Sequence, residues 1–193
     1  MPPVTDTVKH LLIINILLYF GTLLVLGDPD PGLMMQLIQE PSPDHFWEWK
    51  RYMLALFTPG SSYFQPFQIV THMFMHGNIT HLFFNMFGIY MFGPPLEMYW
   101  GPKRFLTYYF VAGFGAMALH LLVMYLQLKG HAVDPMSVNV PMLGASGALF
   151  GLLAGFAMKF PEQRILLLIP PIPIRAKYFV AIYAAIELYL GLG

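Results

Sequence analysis

Cysteine is absent from the 193 residues, which rules out a disulfide framework, a cysteine nucleophile and a zinc–thiolate centre. Charge is scarce as well. Ten basic and ten acidic side chains make up 10% of the chain and cancel, so no net field recruits a polyanion, and nucleic-acid binding is excluded. What is present instead is apolar: 57% hydrophobic residues, 17 Phe, 11 Tyr and 17 Gly, with a mean hydropathy of +0.59. This composition excludes disorder and suits a polytopic membrane protein, in which glycine lets helices approach closely. The expected fold class is all-α, a membrane helical bundle forming one domain over residues 1–193.

Five apolar runs set the expected crossings, at about 11–26, 81–99, 105–128, 145–160 and 176–192. The first ends at Gly27-Asp28-Pro29 without a small-residue cleavage site, so it reads as a helix and not as a signal peptide. The fourth is short for a hydrocarbon core of ~30 Å and is expected to be sheltered by its neighbours. Residues 28–65 differ, carrying five acids, two bases, five prolines and many aromatics. Phe46, Trp49, Met53 and Leu56 recur there at helical steps, which predicts an amphipathic helix in an external, membrane-associated loop. Between the fourth and fifth runs, Pro170, Pro171 and Pro173 predict an interfacial connection. With the amino terminus cytoplasmic, the inside holds Lys9, Lys103, Arg104, Lys159, Arg164, Arg175 and Lys177 against Lys50, Arg51 and Lys129 outside. The positive-inside rule favours that sense, and it puts the starts of the second and fourth runs outside.

Two features at those outer starts carry chemistry. In His76-Gly-Asn-Ile-Thr-His81-Leu-Phe-Phe-Asn85, His81 and Asn85 are four apart and share one helix face. Polar groups entering a bilayer need polar partners or water, so both are expected to face inward. The second feature is Gly144-Ala145-Ser146-Gly147, continued by Gly151 and Gly155 as a small-residue stripe for close packing. The Ser146 backbone N–H falls in a first helical turn, where donors lack intrahelical partners and the dipole is positive, which suits an oxyanion site. His72 and His76 at four-residue spacing are a weaker, metal-binding alternative, with no acid or cysteine nearby to complete it. No cofactor is expected. His120 is expected to bond a neighbouring helix as a neutral imidazole, and Glu187 to be protonated or bonded within the bundle. Glu97 either pairs with Arg104 or caps backbone groups near it.

Together and in this order, the features resemble the rhomboid family of intramembrane serine proteases. The likeness runs from about residue 67 to 160, through His76, His81 and Asn85, then Glu97, Gly101 and Arg104, then the Gly-Ala-Ser-Gly turn around Ser146. It implies a six-helix bundle and an aromatic-rich first loop folded as a membrane-embedded helical hairpin. It also implies a buried, water-accessible hydrolytic site. In that site Ser146 is the nucleophile, and the Ser146 N–H, Asn85 and His81 hold the oxyanion. His76 and Gly144 are implied as substrate-contacting positions, His76 hydrogen-bonding near the entrance. Transmembrane protein substrates and the bilayer are the implied partners, in a bacterial plasma membrane, while oligomeric state is not legible.

One element of the family pattern is missing. The dyad's base histidine comes from a sixth helix, and none of the seven histidines follows Ser146. Two expectations result: a protease whose base lies beyond residue 193, or an inactive relative that binds transmembrane segments. The first is favoured because the glycine stripe would otherwise lack a close-packed partner. A small transporter with a histidine path is disfavoured, since no internal repeat is visible.

Overall fold

The computed structural model describes residues 3–166 and 172–192, the side chains of 166 and 186–192 excepted. Its long helices are α1 (Asp6–Val25), α4 (Ile79–Trp100), α5 (Pro102–Lys129), α6 (Ser146–Lys159) and α7 (Ala176–Leu192). They stand at the five positions expected from the apolar runs. Two of them, α1 and α5, are long and apolar enough to cross a bilayer by length and composition, whereas α6 is a shorter apolar helix. At 14 residues α6 is about 21 Å long, short of the hydrocarbon core. It is accordingly flanked on three sides, by α5, α4 and α7.

The bundle has an apolar core holding a few polar side chains, and its outward faces are apolar as well. Along α1 the buried residues are Val8, Leu11, Asn15, Tyr19 and Thr22, one stripe at three- and four-residue steps. Its outer face carries exposed Ile13, Ile14, Leu17, Phe20, Leu24 and Val25. Water would penalise that arrangement, and lipid permits it. Asn15 donates to the Leu11 carbonyl (2.8 Å) and Thr22 to the Leu18 carbonyl (2.7 Å), so both polar side chains are tied to their own helix. Glu97, buried in α4, accepts from the Thr7 and Val8 N–H groups (3.1 and 3.0 Å) and from the Thr5 hydroxyl. It caps the start of α1, where a carboxylate meets orphan donors and a positive dipole. Capping is thus its role, and Arg104 is exposed without an ion pair among the described residues.

The glycine stripe corrects an expectation. A Cβ on Gly147 would stand 2.6 Å from Ala116 Cβ, one on Gly151 2.2 Å from Ala112 Cβ, and one on Gly155 2.8 Å from Trp100 Cη2. The close-packed partner is therefore α5, with Trp100 from the end of α4, and Tyr108 Oη further donates to the Gly151 carbonyl (2.8 Å). The stripe is already covered within the chain and does not call for another helix. His120 departs too: it lies exposed on α5 and makes no hydrogen bond to a neighbouring helix among the described residues.

The segment between α1 and α4 is a folded unit with its own core of Leu37, Trp49, Met53, Phe57 and Tyr63. It contains α2 (Pro31–Gln39), capped by Asp30 and undetected in the sequence, and the single turn α3 (Gln68–Thr71). The predicted amphipathic helix is instead 3-10 helix over Pro43–Leu54, broken at Lys50, whose φ of 50° and ψ of −125° are non-helical. The break turns both Trp49 and Arg51 inward, which a regular helix could not do for residues two apart. Gln68 binds this unit together. Its amide nitrogen donates to the Met53 and Tyr63 carbonyls (3.0 and 3.1 Å), and its oxygen accepts from the Gln65 and Phe57 N–H groups (2.9 and 3.3 Å).

Between α6 and α7, β1 (Arg164–Leu166) pairs antiparallel with β2 (Pro173–Arg175), Ile165 opposite Ile174. The expected break in helix is met by this short ladder. Glu162 pairs there with Arg175 (3.1 Å) and Lys177. Pro170, Pro171 and the Glu187 side chain lie outside the described residues.

Candidate active site

Ser146 is the first residue of α6, preceded by Ala145 in helical conformation with no side-chain cap. Its N–H therefore belongs to the unsatisfied first turn. The approach to it is a fixed strand of backbone: Leu56 and Met142 exchange two N–H···O bonds of 2.8 Å, and the Gly144 N–H donates to the His72 carbonyl (2.9 Å). Gly144 has φ +122°, a region that side chains rarely adopt. A Cβ there would also lie 2.8 Å from His81 Cε1, 2.9 Å from His81 Nε2 and 3.6 Å from Ser146 Oγ. The absence of a side chain at Gly144 is thus what lets the His81 ring and the serine hydroxyl border the same point.

His81 reaches that point from α4. Asn78 caps the helix, its side-chain oxygen accepting from the His81 N–H (2.8 Å), so His81 sits in the first turn. Asn85, one turn deeper and 4% exposed, donates to the His81 carbonyl (2.9 Å). That bond engages one amide hydrogen and leaves a second. The structure therefore brings Ser146, His81 and Gly144 together directly, with Asn85 behind His81 on the same helix face.

His76 differs from the expected hydrogen-bonding residue at the entrance. It is fully buried, both ring nitrogens lack a hydrogen-bond partner, and its ring meets that of His81 edge-on at 5.2 Å. The cause is the loop backbone, held so that the imidazole turns inward. Burial pushes His76 down from its ordinary value to about 4, with the adjacent His81 and then Arg51 acting in the same sense and the Phe74 carbonyl opposing. It is a neutral imidazole at physiological pH.

Ser146 is exposed, against the expectation of an enclosed nucleophile: the described residues leave one side of it open. On another side lies a cavity of about 110 Å³ lined by His72, Gly113, Met117, Gly144, Ser146 and Gly147, with room for several waters. In the sequence His72 stood out only as a metal-ligand alternative with His76, not as a neighbour of Ser146. Its Nδ1 lies 2.9 Å from the Gln68 carbonyl, a bond that needs the proton on Nδ1 and leaves the lone pair on Nε2. Among the described residues no group of three or more His, Asp or Glu side chains is placed to hold a metal ion.

Fold and site together define a class: an integral membrane protein built as a helical bundle, with a serine at a helix start bordered by an imidazole from a neighbouring helix. A model of the rhomboid domain matches residues 63–193, more than half of the chain. The chain belongs to the rhomboid family. It is 34% identical over 105 residues to the mitochondrial rhomboid protein 1 of Saccharomyces cerevisiae, covering 54% of this chain and 28% of that one. It is 36% identical over 103 residues to the rhomboid-like protease 3 of Toxoplasma gondii, covering 53% and 34%. The mitochondrial rhomboid-like protein 6 of Arabidopsis thaliana is 37% identical over 89 residues, covering 46% and 25%. The chain thus spans about a third or less of the length of these relatives. No solved structure matches the chain.

Proposed function

We propose that this protein is an intramembrane serine endopeptidase that cleaves single-span transmembrane substrates near the outer membrane face. The observation that carries the reading is the convergence of Ser146 Oγ and the His81 ring on Gly144. In the proposed step Ser146 Oγ attacks the scissile carbonyl carbon as a general base takes its proton. The carbonyl π electrons move onto oxygen, and the Ser146 N–H, the His81 imidazole N–H and the free Asn85 amide hydrogen donate hydrogen bonds to that oxyanion. The intermediate then collapses, the C–N bond breaking as the protonated base gives its proton to the leaving amine, and water hydrolyses the resulting serine ester. Loss of one oxyanion donor in such sites costs ~3 kcal/mol, so His81 and Asn85 are each expected to matter by about two orders of magnitude in rate.

Gly144 is assigned to the substrate-facing side of Ser146, His76 to the buried wall behind the His81 ring, and the His72 cavity to the supply of hydrolytic water. Substrates with helix-weakening residues are favoured, because the scissile bond must leave its helix to reach the serine. The protein is placed in a bacterial plasma membrane with its amino terminus cytoplasmic. A second reading, a non-catalytic rhomboid-like protein that binds transmembrane segments, is favoured by one observation: Ser146 Oγ has no hydrogen-bond partner among the described residues. The two separate in the full-length protein reconstituted with a fluorescent single-span substrate. Cleavage that disappears in Ser146→Ala supports the protease. Retention of substrate without cleavage by the wild type supports the binding protein.

A further inference from the structure

Arg51 is 1% exposed, yet it lies in the loop and carries a permanent charge. Burying a guanidinium is unfavourable unless each face and donor is satisfied. Here each of the three guanidinium nitrogens has a partner. Its Nε donates to the Asp28 carboxylate, one terminal nitrogen donates to the His76 carbonyl at 2.8 Å, and the other to the Gly77 carbonyl at 2.9 Å. The rings of Tyr19 from α1 and Tyr52 lie 5.1 Å from the guanidinium carbon. Its own N–H donates to the Gly27 carbonyl (3.3 Å), and Tyr52 Oη adds a second bond to Gly77 (3.2 Å).

The two carbonyls gripped by this fork are those directly before Asn78, the cap that places His81 in the first turn of α4. The grip also sets the His76 backbone, whose ring packs against His81. The chain accepts strain to make it: Lys50, beside Arg51, holds φ 50° and ψ −125°, a conformation a non-glycine residue adopts only when its surroundings over-determine it. Lysine, a point charge without a planar fork, could not hold two adjacent carbonyls in this way.

We infer that Arg51 is a positioning residue for the oxyanion side of the Ser146 site, fixing His81 through the backbone of His76 and Gly77 with Asp28 as its counter-ion. The inference rests on the function proposed above. A positioning role acts on donors that matter in the transition state, so it lowers kcat and leaves KM nearly unchanged. A mere staple of the loop lowers the folded fraction and not the turnover of molecules that fold.

The test is kcat and KM per folded molecule for full-length protein in proteoliposomes. Arg51→Met is expected to lower kcat at least tenfold with KM within twofold. Arg51→Lys restores charge without the fork and is expected to fall between the two. Asp28→Asn, whose side chain is half-exposed, is expected to lower kcat about threefold. Leu37→Ala, which disturbs the loop core away from the clamp, is expected to lower the melting temperature with kcat unchanged. Should Arg51→Met not fold, Arg51→Lys and Asp28→Asn decide. Turnover within twofold of wild type in the folded Arg51 variants overturns the inference. Ser146→Ala in the same assay keeps the failures apart: residual cleavage there removes the site reading itself, whereas its inactivity beside unimpaired Arg51 variants removes only the role of Arg51.

Discussion

The helical bundle and the loop between α1 and α4 are both held together by packing, but by different means. In the bundle, α5 and α6 touch through alanines and glycines with almost no side chain between them, and the outward faces are left apolar. In the loop, a small aromatic core is laced by side chains that bond backbone, Gln68 to four groups and Arg51 to two carbonyls. The difference follows from the solvent. Helices satisfy their own backbone and need only shape, whereas an irregular chain has to find a partner for every N–H and C=O. The candidate site lies where the two meet, His81 held from the loop side and Ser146 from the bundle side.

The largest effect expected from breaking that comparison is in the bundle. Gly151→Ile drives a side chain into Ala112 and is expected to destabilise by about 3 kcal/mol or more, read as a lost or strongly lowered melting transition in detergent micelles. Gly115→Ala on α5, where nothing lies within 4 Å, is the control and is expected to melt no lower than wild type.

Next is the response to acid, which belongs to the junction. His76 titrates near 4 when folded and near 6.5 when unfolded, so between those values the unfolded chain binds more protons. Stability is full above pH 6.5 and falls as pH drops toward 4, by up to about 3 kcal/mol. Melting temperatures measured across that range are expected to slope downward, and His76→Gln is expected to flatten the slope.

In the loop, Gln68→Leu removes the partners of two carbonyls and two N–H groups and is expected to cost about 2 kcal/mol. Limited proteolysis should then cut within residues 28–65 while the bundle helices persist. The smallest effect is Lys50→Gly, which relieves the positive φ and is expected to stabilise by about 1 kcal/mol or less, the gain reduced by the extra freedom of glycine in the unfolded chain.

The same contrast explains what could be read in the residues alone. The positions of α1, α4, α5, α6 and α7 were legible because apolar runs and helix periodicity express directly what lipid requires. The shared face of His81 and Asn85 and the exposed first turn at Ser146 were legible for the same reason, since helix geometry fixes both. The glycine stripe announced close packing but not its partner, because spacing describes one surface only; the partner proved to be Ala112 and Ala116 on α5. The loop was not legible. Its apolar spacing implied a helix, but a positive φ at Lys50 leaves no mark in periodicity, and Arg51 counted only as an external charge. The cavity beside His72 was hidden for a similar reason, being made by three separate stretches of chain.

The central claim, that Ser146 is the reactive residue at the His81–Gly144 junction, is tested most directly by covalent labelling. Full-length protein in membranes treated with a fluorophosphonate, which esterifies activated serines, is digested and the adduct is mapped by mass spectrometry. The account predicts a single adduct on Ser146 that is lost in His81→Ala. An adduct on a different serine, or substrate cleavage that continues in protein whose Ser146 stays unlabelled, would contradict it.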